Sequence, residues 1–330
     1  MQLLRVDPGN PDPAAIRTAA GLLTRGGLVA FPTETVYGLG AAALDDRAVA
    51  RIYAAKGRPG YNPLIVHVAG PEGVASLVSD WPMPAELLAR AFWPGPLTLV
   101  LPKQPAVPDE VTAGLPTVAV RVPAHPVALA LLREAAIPIA APSANRFTKL
   151  SPTTAAHVIA SLGDAVDAVV DGGPTTVGIE STVVDLTAAT PRLLRPGMIS
   201  AAQIAAVVGA VDDRPVEVAA GAARPSPGLV DRHYAPRARV ILFDESSRER
   251  ALAEARVAAA QGDRVGSLAF APLPVLEARV MPRDPAAYAN RLYAELHALD
   301  EAGCAMVVVE QVPTTADWAG VHDRLERSAR

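Results

Sequence analysis

Between Leu28 and His67 the chain gathers two hydroxyls (Thr33, Thr35), a carboxylate (Glu34), two cations (Lys56, Arg58), an amide (Asn62) and an imidazole (His67). Taken singly, each has a plain reading. Lys56 is a solvated helix end, Arg58 a loop charge, His67 a structural histidine and Thr35 a turn former. What sets them apart is that they fall at the ends of elements, where a rigid scaffold presents binding groups on loops. The chain has no Walker loop, no serine-hydrolase elbow and no HExxH helix, and Gly38-Leu39-Gly40 lacks the third glycine of a dinucleotide fingerprint. Any nucleotide phosphates would therefore be held by Lys56, Arg58, Arg195 and loop hydroxyls and amides.

The elements that must position these groups follow from hydrophobic patterning. Asp12-Pro13 starts a helix that runs to Arg25, and the apolar run Leu28–Phe31 is a buried strand ended by Pro32. Asp45-Asp46 opens a second helix stopped by Gly57 and Pro59, so Lys56 sits in its last turn, where the helix dipole favours a cation. A strand over Leu64–Val68 carries His67. Alternation over Thr117–Val122 puts Arg121 on a partly buried face, which demands an anionic partner or a water-filled cleft. An internal ion pair with Asp or Glu serves equally well. The strand Ile137–Ala141 feeds the turn Pro142-Ser143-Ala144-Asn145. Ser151-Pro152 reads first as a helix cap, with a phosphate at the free N–H groups as the second reading. Strands over Ser181–Leu186 and Leu193–Pro196 bring Ser181 and Arg195. Five strand ends thus offer polar groups to one cleft, the usual ligand position in open α/β sheets.

At 330 residues, half of them hydrophobic, the chain suggests two domains. Residues 209–237 lose periodicity and read as a linker containing Arg232-His233-Tyr234-Ala235-Pro236; a stretch this long without structure is uncommon unless it is a lid or binding loop. Residues 238–330 alternate strand and helix, an open α/β sheet whose charged residues read as solvated helix faces. The net charge of −4 and pI of 5.9 show no basic field, so stable direct nucleic-acid binding is not expected. The single cysteine, Cys304, excludes disulfides within the chain and Cys-based zinc sites, and fits the cytoplasm. The N-terminus lacks the apolar core of a signal peptide, and no uncharged run approaches the ~20 residues of a membrane span.

The stretches FPTETVYGLG, KGRPGYNPLIVHV, LPTVAVRVP, PSAN followed by SPTTAAHV, GIESTVVDL, LRPG and RHYAP together resemble the YrdC-like threonylcarbamoyl-AMP synthases in their long two-domain form. The resemblance implies a twisted mixed-sheet α/β catalytic domain (1–208), a linker or lid over the site (209–237) and a smaller Rossmann-like α/β domain (238–330). It implies that L-threonine, bicarbonate or CO2 and ATP give threonylcarbamoyl-AMP and pyrophosphate. The product would pass to the machinery that modifies tRNA beside the anticodon. Thr35, His67, Arg121, Ala141 and Ser181 would hold threonine. Arg58, Asn62, Thr117, Ser143, Ser151, Arg195 and Tyr234 would hold ATP. Lys56, Arg58, Ser143 and Asn145 would meet the bicarbonate and phosphate charge. Mg2+ would accompany ATP, with no bound organic cofactor. A fragile mixed-anhydride product gives the linker a reason to close. Phe147-Thr148 stand where such proteins commonly have Ser-Gly, and Leu229-Val230-Asp231 replace a Met-Lys-Tyr type run. The alternative is an RNA-binding or ribosome-associated module of the same fold, against which the acidic pI counts.

Overall fold

The structure is a computed structural model that describes residues 1–214, 224–227 and 233–330. Arg232, the Leu229-Val230-Asp231 run and the rest of the linker expectation for 215–223 and 228–232 lie outside the described residues.

Ten strands form one mixed sheet: β1 (Gln2–Arg5), β2 (Val29–Pro32), β3 (Tyr37–Ala42), β4 (Ile65–His67), β5 (Leu97–Pro102), β6 (Thr117–Arg121), β7 (Ile139–Ala140), β8 (Ala168–Asp171), β9 (Thr182–Asp185) and β10 (Arg192–Arg195). Their order is β1-β8-β2-β3-β7-β4-β6-β5-β9-β10, so β4 and β6 are central and run parallel with His67 opposite Arg121. Helices Pro13–Thr24 and Pro126–Ala135 bury Leu23, Val127 and Leu131 against Phe31 and Ile139 in a core beside this sheet. A larger core gathers Leu39, Ile52, Val66, Leu99 and Val120.

Local chemistry sets the boundaries that place the polar groups. The Asp45 side chain accepts from Arg47 and Ala48 N–H to start the helix Asp46–Lys56, and Gly57, at φ 63°, ends it one residue after Lys56. The Thr33 hydroxyl ties the turn between β2 and β3, bonding the Val36 carbonyl at 2.6 Å. Strand β3 runs through Gly38-Leu39-Gly40, which the sequence offered only as an incomplete dinucleotide fingerprint. Gly40 is a strand residue for a steric reason: a Cβ there would lie 2.8 Å from Phe31 Cε1.

The expected helix start at Ser151 is corrected. The helix is Ala155–Leu162, and Thr154 caps it by accepting from the His157 N–H, which frees the Ser151 hydroxyl for another partner. Nearby, Thr148 has φ 67°, a left-handed conformation that a β-branched residue adopts only under strain. A glycine relieves that strain, which accounts for the Ser-Gly expectation at this point. Thr148→Gly is expected to raise the unfolding free energy by about 1 kcal/mol. Chemical denaturation checks this, and a loss of stability would mean that the Thr148 side chain contributes more than the strain costs.

The second unit is a parallel sheet of β11 (Arg239–Phe243), β12 (Val265–Ala269), β13 (Glu277–Val280) and β14 (Met306–Glu310), in the order β11-β14-β12-β13. The edge strand β13 escaped the sequence reading because it is short, half-exposed and set between prolines. The two units share one apolar core: Val36, Leu150, Ile179 and Tyr234 pack with Tyr288, Leu292, Tyr293 and Trp318. Helix Ala319–Ala329 approaches β10's exit so closely that a Cβ on Gly320 would lie 2.7 Å from the Gly197 carbonyl oxygen. Only glycine allows that contact.

Candidate active site

The ends of β2, β3, β4, β6, β7 and β10 converge on a cavity lined by Thr35, Arg58, His67, Arg121, Ala141, Ser143, Glu180, Ser181 and Arg195, with Pro227, His233 and Tyr234 from the linker. Its volume is about 40 Å3. A larger cavity of about 780 Å3 lies between β10, Arg224 and helix Ala319–Ala329, but it gathers no comparable set of buried polar groups. The chemistry is placed in the smaller cavity for that reason.

On one wall, Arg121 is buried and donates to the Glu34 carboxylate (2.6 Å), the Thr35 hydroxyl (3.0 Å) and the Gly95 carbonyl (3.1 Å). The ion pair with Glu34 is thus the internal partner left open by the sequence, and the Ala124 N–H secures its second oxygen at 3.1 Å. The Thr33 hydroxyl proton is committed to the Val36 carbonyl, so in the 2.8 Å contact between the two threonines Thr35 is the donor. Beside them His67 stands edge-on to Phe31, and its Nδ1 is buried with no hydrogen-bond partner. Burial first, and the Arg121 charge second, push the imidazole down to about 3, so it is neutral at physiological pH. An unpartnered imidazole nitrogen beside an arginine suits a polar ligand.

Also in the lining, Arg195 donates to the Ser181 carbonyl (3.0 Å), the Ser181 hydroxyl (3.1 Å) and the Pro227 carbonyl (3.3 Å). Arg58 donates to the carbonyls of Asn62 (3.0 Å) and Pro63 (2.7 Å). Burial, the leading cause, brings Arg58 down to about 10, so it stays charged. Among the described residues neither arginine has a carboxylate partner. Two buried positive charges therefore face the cavity bonded only to neutral oxygens, an arrangement that calls for an anion.

Two family models match the chain: the Sua5, YciO and YrdC model, described as Telomere recombination, over residues 21–197, and Threonylcarbamoyl-AMP synthase, C-terminal domain, over residues 199–330. The chain is 43% identical to a Threonylcarbamoyl-AMP synthase of Pyrococcus abyssi, over 95% of this chain and 94% of that protein. It is also 43% identical to one of Bacillus subtilis, over 95% and 92%. It superposes on the crystal structure of P. abyssi Sua5 complexed with L-threonine with a TM-score of 0.92 and 40% identity, covering 100% of this chain and 98% of that one. The chain belongs to the threonylcarbamoyl-AMP synthase family.

As a family member it is an enzyme of the nucleotidyltransferase type, a threonylcarbamoyl-AMP synthase with the YrdC-like fold and a second, smaller α/β domain. Of the residues singled out in the sequence, Thr35, Arg58, His67, Arg121, Ala141, Ser143, Ser181, Arg195 and Tyr234 line the cavity. Lys56, Asn62, Thr117, Asn145 and Ser151 do not. Lys56 is buried and donates to the carbonyls of Ser143 (2.5 Å) and Asn145, fastening the turn that presents Ser143. Burial, then Arg58, hold its pKa well below the usual lysine value. The Asn145 amide donates to the Arg146 (2.9 Å) and Lys149 (2.8 Å) carbonyls. Asn62 is fully buried, and neither atom of its amide has a partner. Thr117 sits at the opposite end of β6 from Arg121, half-exposed. Ser151 bonds the Glu180 carboxylate.

Two carboxylates not singled out as site candidates from the sequence belong to the arrangement: Glu180, which lines the cavity, and Glu34, which pairs with Arg121. Both lie inside the quoted motifs, FPTETVYGLG and GIESTVVDL, and each is a carboxylate among residues that end buried strands. That is the signal that marks them. Burial pushes the Glu180 carboxyl up, but Arg324, Arg195 and the Ser151 hydroxyl outweigh it, and the group lies below the usual glutamate value. A further correction concerns the C-terminal charges read as solvated: Arg324 is fully buried and reaches Glu180 at 2.7 Å.

Proposed function

We propose that the cavity binds L-threonine against the Thr35–Arg121–His67 wall and ATP against the Arg58–Arg195 wall, with Ala141 and Ser181 completing the threonine site. Ser143 is proposed to meet the bicarbonate and phosphate charge. Asn62, Thr117, Ser151 and Tyr234 are proposed to contribute to the nucleotide site, and Lys56 and Asn145 to act through the turn that carries Ser143. The single observation that carries this reading is the pair of buried arginines, Arg58 and Arg195, that hold only neutral oxygens beside a neutral imidazole with a free nitrogen.

The reaction then runs by positioning and charge stabilisation. The neutral threonine amine adds to CO2 with loss of a proton, or to bicarbonate with loss of water, to give a carbamate. A carbamate oxygen attacks the α-phosphate of ATP, forming the O–P bond as the bond to pyrophosphate breaks. The two arginines stabilise the charge that gathers on the phosphates. Mg2+ would travel with the nucleotide. Among the described residues no group of three or more His, Cys, Asp or Glu could hold a metal, and both Glu34 and Glu180 are taken by arginines. The residues present do not fit a protein-held metal, and no step is routed through one.

Residues 209–237 are proposed to act as a lid between a catalytic domain (1–208) and the C-terminal domain (238–330). Pro227, His233 and Tyr234 line a cavity of about 40 Å3, whereas ligand pockets are typically about 300–1,000 Å3. Substrate entry therefore requires these residues to move. Tyr234 supports the reading by its left-handed backbone, φ 59°, and its buried, unpartnered hydroxyl. The product is proposed to supply the tRNA threonylcarbamoyl-transferase machinery in the cytoplasm. A reduced, buried Cys304 suits that compartment, and among the described residues no helix is long and apolar enough to cross a membrane.

The test is pyrophosphate release by the full chain. Release is expected only when ATP, threonine and bicarbonate are all present. Equal release without threonine would overturn the assignment.

A further inference from the structure

The cavity must accept several anionic groups, yet one carboxylate, Glu180, lines it and a second, Glu34, is bonded to its Arg121. Each is neutralised by its own arginine. For Glu34 the arginine, Arg121, comes from the same sheet. For Glu180 it comes from the last helix of the other domain: Arg324 has a side-chain exposure of 0% and donates through Nε to Glu180 Oε2 at 2.7 Å. Its remaining donors reach Asp323 (2.6 Å), the Pro196 carbonyl (3.1 Å) and the Glu180 carbonyl (3.4 Å), and its guanidinium lies 5.0 Å over the Tyr234 ring. Glu180 in turn accepts from Ser151 and from the Tyr293 hydroxyl (3.1 Å). One buried guanidinium is thus tied to two residues of the cavity lining, Glu180 and Tyr234, to the strand exit at Pro196 and, through Glu180, to Ser151.

We propose that Arg324 is a positioning residue for the synthase reaction, which neutralises Glu180 so that Arg58 and Arg195 remain available to nucleotide phosphates. Arg195 and Lys56 are the competing cations. Arg195 depresses the Glu180 carboxyl as a neighbouring charge, and Glu180 acts back on Lys56. If Arg324 is removed, Glu180 is left as a buried, uncompensated carboxylate beside Arg195, a group the nucleotide needs. It would also repel the phosphates directly. The proposal rests on the assignment of ATP to the Arg58–Arg195 wall.

The experiment uses the full-length protein and pyrophosphate release with ATP and threonine varied separately. R324M is expected to raise KM for ATP on the order of 30- to 100-fold, the low end of the effect of stripping the partner from a buried charge, while KM for threonine moves a few-fold at most. Adding E180Q to R324M removes the orphaned charge, and is expected to restore about tenfold or more of the lost kcat/KM for ATP. A double variant no better than R324M would overturn the proposal and leave Arg324 as scaffolding. Should R324M fail to fold, R324M/E180Q, which buries no unpaired carboxylate there, is compared with the wild type. Its kcat/KM for ATP is expected within about tenfold of wild type, and a greater loss overturns the proposal. A wild-type enzyme that releases no threonine-dependent pyrophosphate would instead overturn the functional reading itself.

Discussion

Lys56→Ala is expected to lower kcat on the order of 10²–10³-fold while threonine affinity stays within a few-fold, the size of effect seen when a group that organises transition-state charge is lost. The reason is more specific than a free cation near phosphate. Lys56 Nζ is buried, spends two donors on the Ser143 and Asn145 carbonyls, and holds the turn between β7 and the helix Ala155–Leu162. Its own carbonyl accepts from the Phe147 N–H at 2.8 Å, so both ends of the residue grip the same loop. Without the ammonium, two buried carbonyls lose their donor and Ser143, which lines the cavity, loses its support. Lys56→Met retains most of the volume and isolates the polar part of the effect. Steady-state kinetics with threonine and ATP varied separately check this. Unchanged kcat in Lys56→Ala would remove both the lysine and its turn from the mechanism.

The second large effect is on stability. Arg121→Ala is expected to cost about 3–5 kcal/mol, because it leaves Glu34 as a buried, unpaired carboxylate in the turn between β2 and β3. Set against a typical total stability of about 5–15 kcal/mol, such a loss leaves a marginal fold. The same substitution is expected to abolish detectable threonine binding, since it removes the cation beside Thr35 and His67. The two consequences separate in a double variant. Arg121→Ala with Glu34→Gln is expected to recover part of the unfolding free energy, measured by denaturant titration, without recovering threonine binding, measured by calorimetry. If threonine binds the double variant as well as it binds the wild type, Arg121 has only a structural role and the threonine wall is misplaced.

The difference between these two residues shows where the sequence is informative. An arginine on an alternating, partly buried strand already states that a negative partner exists, because the desolvation cost is a property of the residue and its strand. Which partner it takes is not local. Glu34 and Arg121 are 87 residues apart in the chain, and only the folded sheet brings the β2–β3 turn to the end of β6. Lys56 was legible as the last residue of a helix, since Asp45 and Gly57 set that boundary by local capping. That it points inward to a turn almost ninety residues later, rather than outward to solvent, depends on where β7 sits. Ser151 misled for the same reason. Ser-Pro is a local capping signal, and Thr154 satisfies the cap just as well once Glu180 claims the serine.

By itself, the sequence determined the two α/β units, most of their strands and helices, the family resemblance and nine residues that line one cavity. Those features rest on period, capping and residue type, which act over a few residues at a time. Only the tertiary structure decided which charges neutralise one another: Arg121 with Glu34, Arg324 with Glu180, and Arg58 and Arg195 with no carboxylate among the described residues. It also decided that helix Ala319–Ala329, which reads as a solvated face, buries an arginine behind the cavity. The physical reason is that the cost of burying a charge depends on every group that surrounds it, and those groups come from strands and helices brought together only when both sheets have formed.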